Sequence, residues 1–176
     1  MNIRAAIAQD RADVRRIHGS AFPESESARV STLAAELLFD QTLPQTISLI
    51  AETEGAAVGH AAFSPVRLAG NPNVRAYILA PLGVKPDHQK RGIGSKLVEY
   101  GLRRLSIMKV NVVLVYGDPR YYRRFGFNAD AARQYIPPYP LQYPFGWQAL
   151  ALDDCHIKKS PAVITCVAAL SDPKLW

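Results

Sequence analysis

The chain has 176 residues, 48% hydrophobic and 20% charged, the balance of a soluble globular domain that buries about two thirds of its unfolded surface. No apolar run approaches the ~18 residues of a membrane span, and the net charge of +6 comes from scattered basic pairs that argue against a nucleic-acid arm. Cys155 and Cys166 lack metal-ligand spacing and an accompanying histidine pair, so both are expected as reduced, partly buried thiols with no metal site.

The first residues, MNIRAAIAQDRADVRRI, are charged throughout and hold no signal-peptide core, which makes the cytoplasm the expected location. Residues 2–8 read as a strand, with Asp10 as N-cap of a helix from Arg11 and Asp13 at its third position. That helix carries Val14, Ile17 and Ala21 on one side, with Arg15, Arg16 and His18 elsewhere. Phe22-Pro23-Glu24-Ser25-Glu26-Ser27 breaks it. A second helix over 28–39 has Val30, Leu33, Ala34, Leu37 and Leu38 as its apolar stripe. Residues 47–52 and 57–68 are strands around the turn Glu54-Gly55, and 69–73 form the next turn.

Residues 76–105 are the most informative stretch: an apolar strand, a basic turn with glycines, and an amphipathic helix. Pro81 has no N–H for a ladder and, with Gly83, marks an edge, a bulge or a place where two strands part. The helix carries Ile93, Leu97, Val98, Leu102 and Leu105 on one face. Its first amides lack intrahelical partners and bear partial positive charge. Gly92 and Gly94 let a bulky phosphate approach the backbone, and Lys90 and Arg91 add formal charge. An anion site for a phosphorylated cofactor follows. It is not a Walker loop, whose string is absent, and the dinucleotide fingerprint fails at Leu97.

Residues 110–116 read as a strand buried on both faces. It is expected to run parallel to the strand before the helix, through a right-handed crossover, with a wedge opening where Pro81 parts the two. In Gly117-Asp118-Pro119, Asp118 caps a short helix and Pro119 opens it; Gly126 ends it. Residues 129–143 read as an irregular Pro- and Tyr-rich lid or loop, and 147–152 and 162–170 as two last strands. Neither repeat nor linker interrupts the chain, so 1–176 is expected to be a single domain.

Gln89-x-x-Gly92-x-Gly94 resembles the [QR]-x-x-G-x-[GA] pyrophosphate loop of the GNAT superfamily of N-acetyltransferases. Tyr121-Tyr122-Arg123-Arg124-Phe125-Gly126-Phe127 is similar to the [FY]-Y-x-[KR]-x-G-F segment after that family's fifth strand, and the preceding Gly117-Asp118-Pro119 narrows the likeness to the YhbS-like bacterial branch. The resemblance is strong over residues 76–127 and weak elsewhere. It implies a mixed α/β (α+β) fold of the acyl-CoA N-acyltransferase type: a mainly antiparallel sheet with one splayed parallel strand pair and flanking helices.

The resemblance also implies acetyl transfer from acetyl-CoA to a primary amine by direct attack in a ternary complex, which needs no protein nucleophile. The phosphates of CoA would meet Gln89, Lys90, Arg91, Gly92, Ile93, Gly94 and Ser95, and the pantetheine arm the backbone of Leu82, Gly83 and Val84. A main-chain N–H there would polarise the thioester carbonyl. Tyr122, protonated at neutral pH with an unperturbed pKa of about 10, would serve the departing thiolate, and Tyr121 would pack.

The base is open. No Glu or Asp lies in Ala76–Val84, where many relatives carry one; Glu24 and Glu26, in the expected acceptor wall, His60 and a water chain are candidates, each also readable as a solvated surface group. His88 reads as exposed or helping a phosphate. The acceptor, a small-molecule or peptide amine, would sit among residues 24–27 and 135–147. A homodimer is left open. Two other readings stand beside the enzyme: a non-catalytic CoA-binding sensor, and a transferase acting on a protein N-terminus or an aminoacyl-tRNA.

Overall fold

The computed structural model describes residues 1–153 and 161–176, so Cys155 lies outside the described residues. Its strands are β1 (Asn2–Ala5), β2 (Ile47–Thr53), β3 (Ala56–Leu68), β4 (Ala76–Val84), β5 (Val112–Tyr116), β6 (Tyr135–Ile136), β7 (Trp147–Ala151) and β8 (Ala162–Thr165). The helices are α1 (Arg11–Ala21), α2 (Glu24–Leu37), α3 (Ile93–Ile107), α4 (Pro119–Tyr122) and α5 (Ala129–Ala132). The main sheet runs β1-β2-β3-β4-β5-β7, with β8 attached to β3 and β6 to β8. The pairs β1–β2, β2–β3 and β5–β7 are antiparallel. As expected, β4 and β5 are parallel, and the register ends at Leu79 opposite Val115, just before Pro81. Beyond the expected parallel pair, β6 and β8 also run parallel, over two residues.

The chain divides into two compact units, Met1–Phe63 with Ala80–Gly101, and Ser64–Leu79 with Leu102–Trp176. The first is built on β1, β2 and the start of β3, with α1 and α2 packed on each other. Val14, Ala34 and Ile50 form a buried cluster there, joined by Ala6, Leu38 and Ala57. The Ser31 hydroxyl donates to the Arg15 carbonyl at 2.9 Å and clips the two helices together. Glu54 and Gly55 both take positive φ, 54° and 77°, as a tight hairpin between right-twisted strands requires.

Two expectations for this unit are corrected. The first strand stops at Ala5, and Asp10 does not cap α1. Its carboxylate instead accepts the Ile7 N–H at 2.7 Å and two guanidinium N–H groups of Arg4 at 2.6 and 2.8 Å, which folds the chain back before the helix. The break at 22–27 is real but shorter than expected. Only Phe22 and Pro23 leave the helical path, because the Pro23 carbonyl already accepts the N–H groups of Glu26 and Ser27 at 2.9 and 2.8 Å. Glu24 and Glu26 therefore stand in the first turn of α2, where carboxylates oppose the helix dipole.

In the second unit, Val112, Val113, Leu114 and Val115 are buried, as a strand covered on both faces demands. The Asp118 carboxylate accepts the Arg120 N–H at 2.9 Å as the cap of α4, and Gly126 closes the following turn at φ 94°. The stretch 129–143 is more ordered than expected at its start. Asn128 caps α5 by accepting the Ala131 N–H at 2.7 Å, and β6 follows. The last strand is shorter than 162–170: it ends at Thr165, and the chain winds into a 3-10 turn at Ala168–Leu170. The turn brings the Leu170 carbonyl to the Trp176 indole N–H at 3.0 Å, which lets that ring be buried with its donor satisfied. Among the described residues, no helix is long and apolar enough to cross a membrane.

Candidate active site

The bend between β4 and α3 is built to expose main-chain amides. Lys90 and Gly92 both have positive φ, 58° and 79°, and the first bond of the helix runs from the Lys96 N–H to the Gly92 carbonyl at 3.0 Å. The amides of Ile93, Gly94 and Ser95 precede that bond, so helix geometry leaves them to an outside acceptor. Nothing lies within 4 Å of the place where a Cβ on Gly92 would stand, so the face of the loop is open to a bulky anion. Lys90 and Arg91 are exposed beside it, and among the described residues neither joins an ion pair.

Gln89 acts differently from its neighbours. Its side-chain amide donates to the Val84 carbonyl at 3.0 Å and ties the loop to the end of β4. Behind the loop, Gly59 lets α3 lie close on β3: a Cβ there would stand 3.0 Å from Ile93 and 3.1 Å from Leu97. The strand segment Leu82, Gly83, Val84 leads into this bend, with Gly83 buried and its neighbours half-buried. His88 is partly buried, and among the described residues its Nδ1 has no hydrogen-bond partner.

Tyr122 ends α4 with its ring against Phe127, 5.8 Å between centroids at 73°, and against Tyr121, 5.0 Å at 87°. Gly117 makes the room: a Cβ there would stand 2.6 Å from Tyr122 Cε2. Burial, with Tyr121 adding to it, pushes the phenol above its ordinary pKa and keeps it protonated. Tyr121 packs, with Phe125 at 5.7 Å and the Arg124 guanidinium 4.7 Å over its ring.

A feature that the sequence reading missed lies in the first unit. His18 and His60 are both 0% exposed, so His60 is not the solvated group that its sequence position allowed. His18 Nε2 lies 2.8 Å from His60 Nδ1, and His60 Nε2 lies 2.7 Å from the hydroxyl of Ser48, which is partly exposed. Burial holds His60 at about 3, against a counter-pull from the Asp10 carboxylate, and holds His18 well below the imidazole range with His60 adding to the effect. Both rings are neutral. Among the described residues, His18 Nδ1 has no hydrogen-bond partner. The signal was in the spacing: His18 stands four residues after Val14, one after Ile17 and three before Ala21, on the same stripe of α1.

Glu24 and Glu26 are exposed on α2, and nothing in the first unit ties them to the histidine chain. In the second unit, Ile136, Pro138, Tyr139, Leu141 and Trp147 line an open apolar groove of about 440 Å³. Among the described residues, Cys166 is a free thiol that burial pushes up to about 12, unsuited to nucleophilic work.

Residues 2–129 match the model of the acetyltransferase (GNAT) domain. The N-acetyltransferase YjhQ of Escherichia coli (strain K12) is 37% identical over 134 residues, 75% of this chain and 72% of that protein. The crystal structure of E. coli YhbS in complex with CoA superposes with a TM-score of 0.79 at 27% identity, covering 93% of this chain and 87% of that one. A GNAT family acetyltransferase from Brucella melitensis, in complex with acetyl-CoA, gives a TM-score of 0.69 at 31% identity over 96% of each chain. The fold and both motifs agree with these matches: the chain belongs to the GNAT family of N-acetyltransferases.

Proposed function

We propose that residues 1–176 act as one acetyltransferase domain that moves the acetyl group of acetyl-CoA to a primary amine by direct attack. The observation that carries the reading is the bend at 89–95. Two positive-φ residues shape the turn, and the amides of Ile93, Gly94 and Ser95 precede the first bond of the helix, beside an open Gly92 and two cations that join no ion pair among the described residues. That chemistry suits a diphosphate, and two structural relatives hold CoA and acetyl-CoA. In this reading the phosphates meet Lys90, Arg91 and the amides from Gly92 to Ser95. Gln89 shapes the loop through Val84. The pantetheine amides pair with the backbone of Leu82, Gly83 and Val84. Acetyl-CoA supplies the activated acyl group. Tyr122 donates to the thiolate as it departs.

A protonated, half-buried tyrosine favours turnover over a sensor that only binds CoA. The test is thiol release from acetyl-CoA with a panel of small amines and peptide N-termini. Amine-dependent release, with one acetylated amine per thiol, supports the transferase. CoA binding without release for every amine would favour the sensor.

A further inference from the structure

Gly83 stands between Leu82 and Val84 in β4, in the strand segment assigned above to the pantetheine arm. Glycine weakens a strand interior, and its presence there often marks a close approach by another group. Its φ lies outside the left-handed region, so the backbone itself does not require glycine; the need is for space. A Cβ on Gly83 would stand 2.7 Å from Nδ1 and 2.9 Å from Cε1 of His18, and 3.5 Å from the Ala21 methyl. Two residues of α1 one turn apart, His18 and Ala21, thus lie directly on the main chain of β4.

The ring of His18 is anchored from its far side. Its Nε2 lies 2.8 Å from His60 Nδ1, and His60 Nε2 lies 2.7 Å from the Ser48 hydroxyl. Both rings are wholly buried, and α1, β3 and β2 each supply one member of the chain. A hydrogen bond has a preferred direction, so it fixes the plane of the ring; an aliphatic side chain of similar bulk would be free to turn. Among the described residues, His18 Nδ1 makes no hydrogen bond, and the ring meets Gly83 by packing alone. An unpaired buried nitrogen weakens a fold. As a filler the imidazole is therefore inferior to leucine, and what it offers in exchange is a fixed position.

The strand segment needs such a hold. Glycine has more backbone freedom than any other residue. The ladder between β4 and β5 ends at Leu79, which leaves β3 as the neighbour of 82–84. That pairing continues in the Lys85 N–H, which donates to the Val58 carbonyl at 2.9 Å. Main-chain groups alternate between the two edges of a strand. Those of Gly83 therefore share the β3 edge with Lys85, and those of Leu82 and Val84 face the other edge. His18 lies on the glycine between them.

We propose that His18 is a positioning residue for CoA: held through His60 and Ser48, its ring fixes the main chain at Gly83 so that Leu82 and Val84 present their edge to the pantetheine amides. The proposal rests on the acetyl-transfer reading above, which lays the arm on 82–84. His18 is wholly buried and touches neither cofactor nor amine; it acts through Gly83. The arm then meets an edge already in place, and binding does not have to order the glycine first.

The experiment titrates CoA, and separately its phospho-ADP head without the arm, into wild type, His18→Ala and Ser48→Ala by calorimetry. The head reads the loop at 89–95 and the arm reads 82–84, so the ratio of the two Kd values isolates the segment that His18 holds. In His18→Ala, CoA is expected to bind about 10-fold more weakly, the scale of reordering the backbone of one residue, while the head stays within about 2-fold of wild type. Ser48→Ala, at a partly exposed site, loosens the same chain from its outer end and should weaken CoA about 3-fold; it decides the matter should His18→Ala fail to fold. Equal weakening of both ligands would mark a merely structural residue and overturn the proposal, as would unchanged CoA affinity in both variants. A wild type that binds CoA no more tightly than the head would overturn the placement of the arm, and the positioning role with it. An arm-specific loss in the variants, beside a wild type that acetylates no amine, would support the positioning role and overturn the transfer reading.

Discussion

The Nδ1 atom of His18 lies 2.7 Å from the point where a Cβ on Gly83 would stand. The ring cannot retreat freely, because His60 holds it at 2.8 Å from the other side. Gly83→Ala is therefore expected to displace the imidazole and lower stability by about 1–3 kcal/mol, the scale of overpacking in a tight core. Urea unfolding measures it. Stability equal to wild type would mean the ring is not pinned.

The same two histidines set a pH dependence. His60 has a folded pKa of about 3 against an ordinary value of 6.5. Between those values the unfolded chain binds a proton that the folded chain refuses, so its contribution is complete above pH 6.5 and is lost as pH falls towards 3. The expected slope from His60 is about 1.4 kcal/mol per pH unit, with His18 acting in the same direction. His60→Gln should flatten the fall between pH 6 and 5 in urea titrations. A wild type equally stable at pH 7 and pH 5 would contradict the buried, neutral pair.

Gly101 on α3 faces Phe63 of β3 so closely that a Cβ would stand 2.2 Å from two ring carbons. Alanine favours a helix over glycine by about 1 kcal/mol. The collision outweighs that gain, because Phe63 is wholly buried and has no free space for a ring that must move more than an ångström. Gly101→Ala is expected to lower stability by roughly 2 kcal/mol or more, visible as a lower Tm. A raised Tm would show that helix propensity governs the site.

Tyr122→Phe keeps the ring against Phe127 and removes only the hydroxyl. The expected result is a fall in kcat of about 10- to 100-fold with the KM for acetyl-CoA nearly unchanged. An unchanged kcat would remove Tyr122 from the acid role.

Local chemistry made much of this architecture legible in the sequence. Pro81, Asp118-Pro119 and Gly126 each act through their own backbone, so the end of the β4–β5 register and the short capped helix could be read directly. The bend at 89–95 was legible for the same reason. What could not be read depended on distant partners. Asp10 looks like a cap until Arg4 draws it away. Glu24 follows a proline that could equally end one helix or start the next. His18 and His60 are 42 residues apart, and no local pattern tells a solvated histidine from one buried against another.

The most direct measurement is calorimetric titration of CoA into wild type and Gly92→Glu. The glutamate would place a carboxylate on the open face of the loop, at a φ of 79° that L side chains rarely adopt, and meet the diphosphate with like charge. The account predicts a folded variant, by circular dichroism, whose affinity for CoA is at least about 30-fold weaker, or roughly 2 kcal/mol. Equal affinity in the two proteins would contradict the assignment of the diphosphate to this loop.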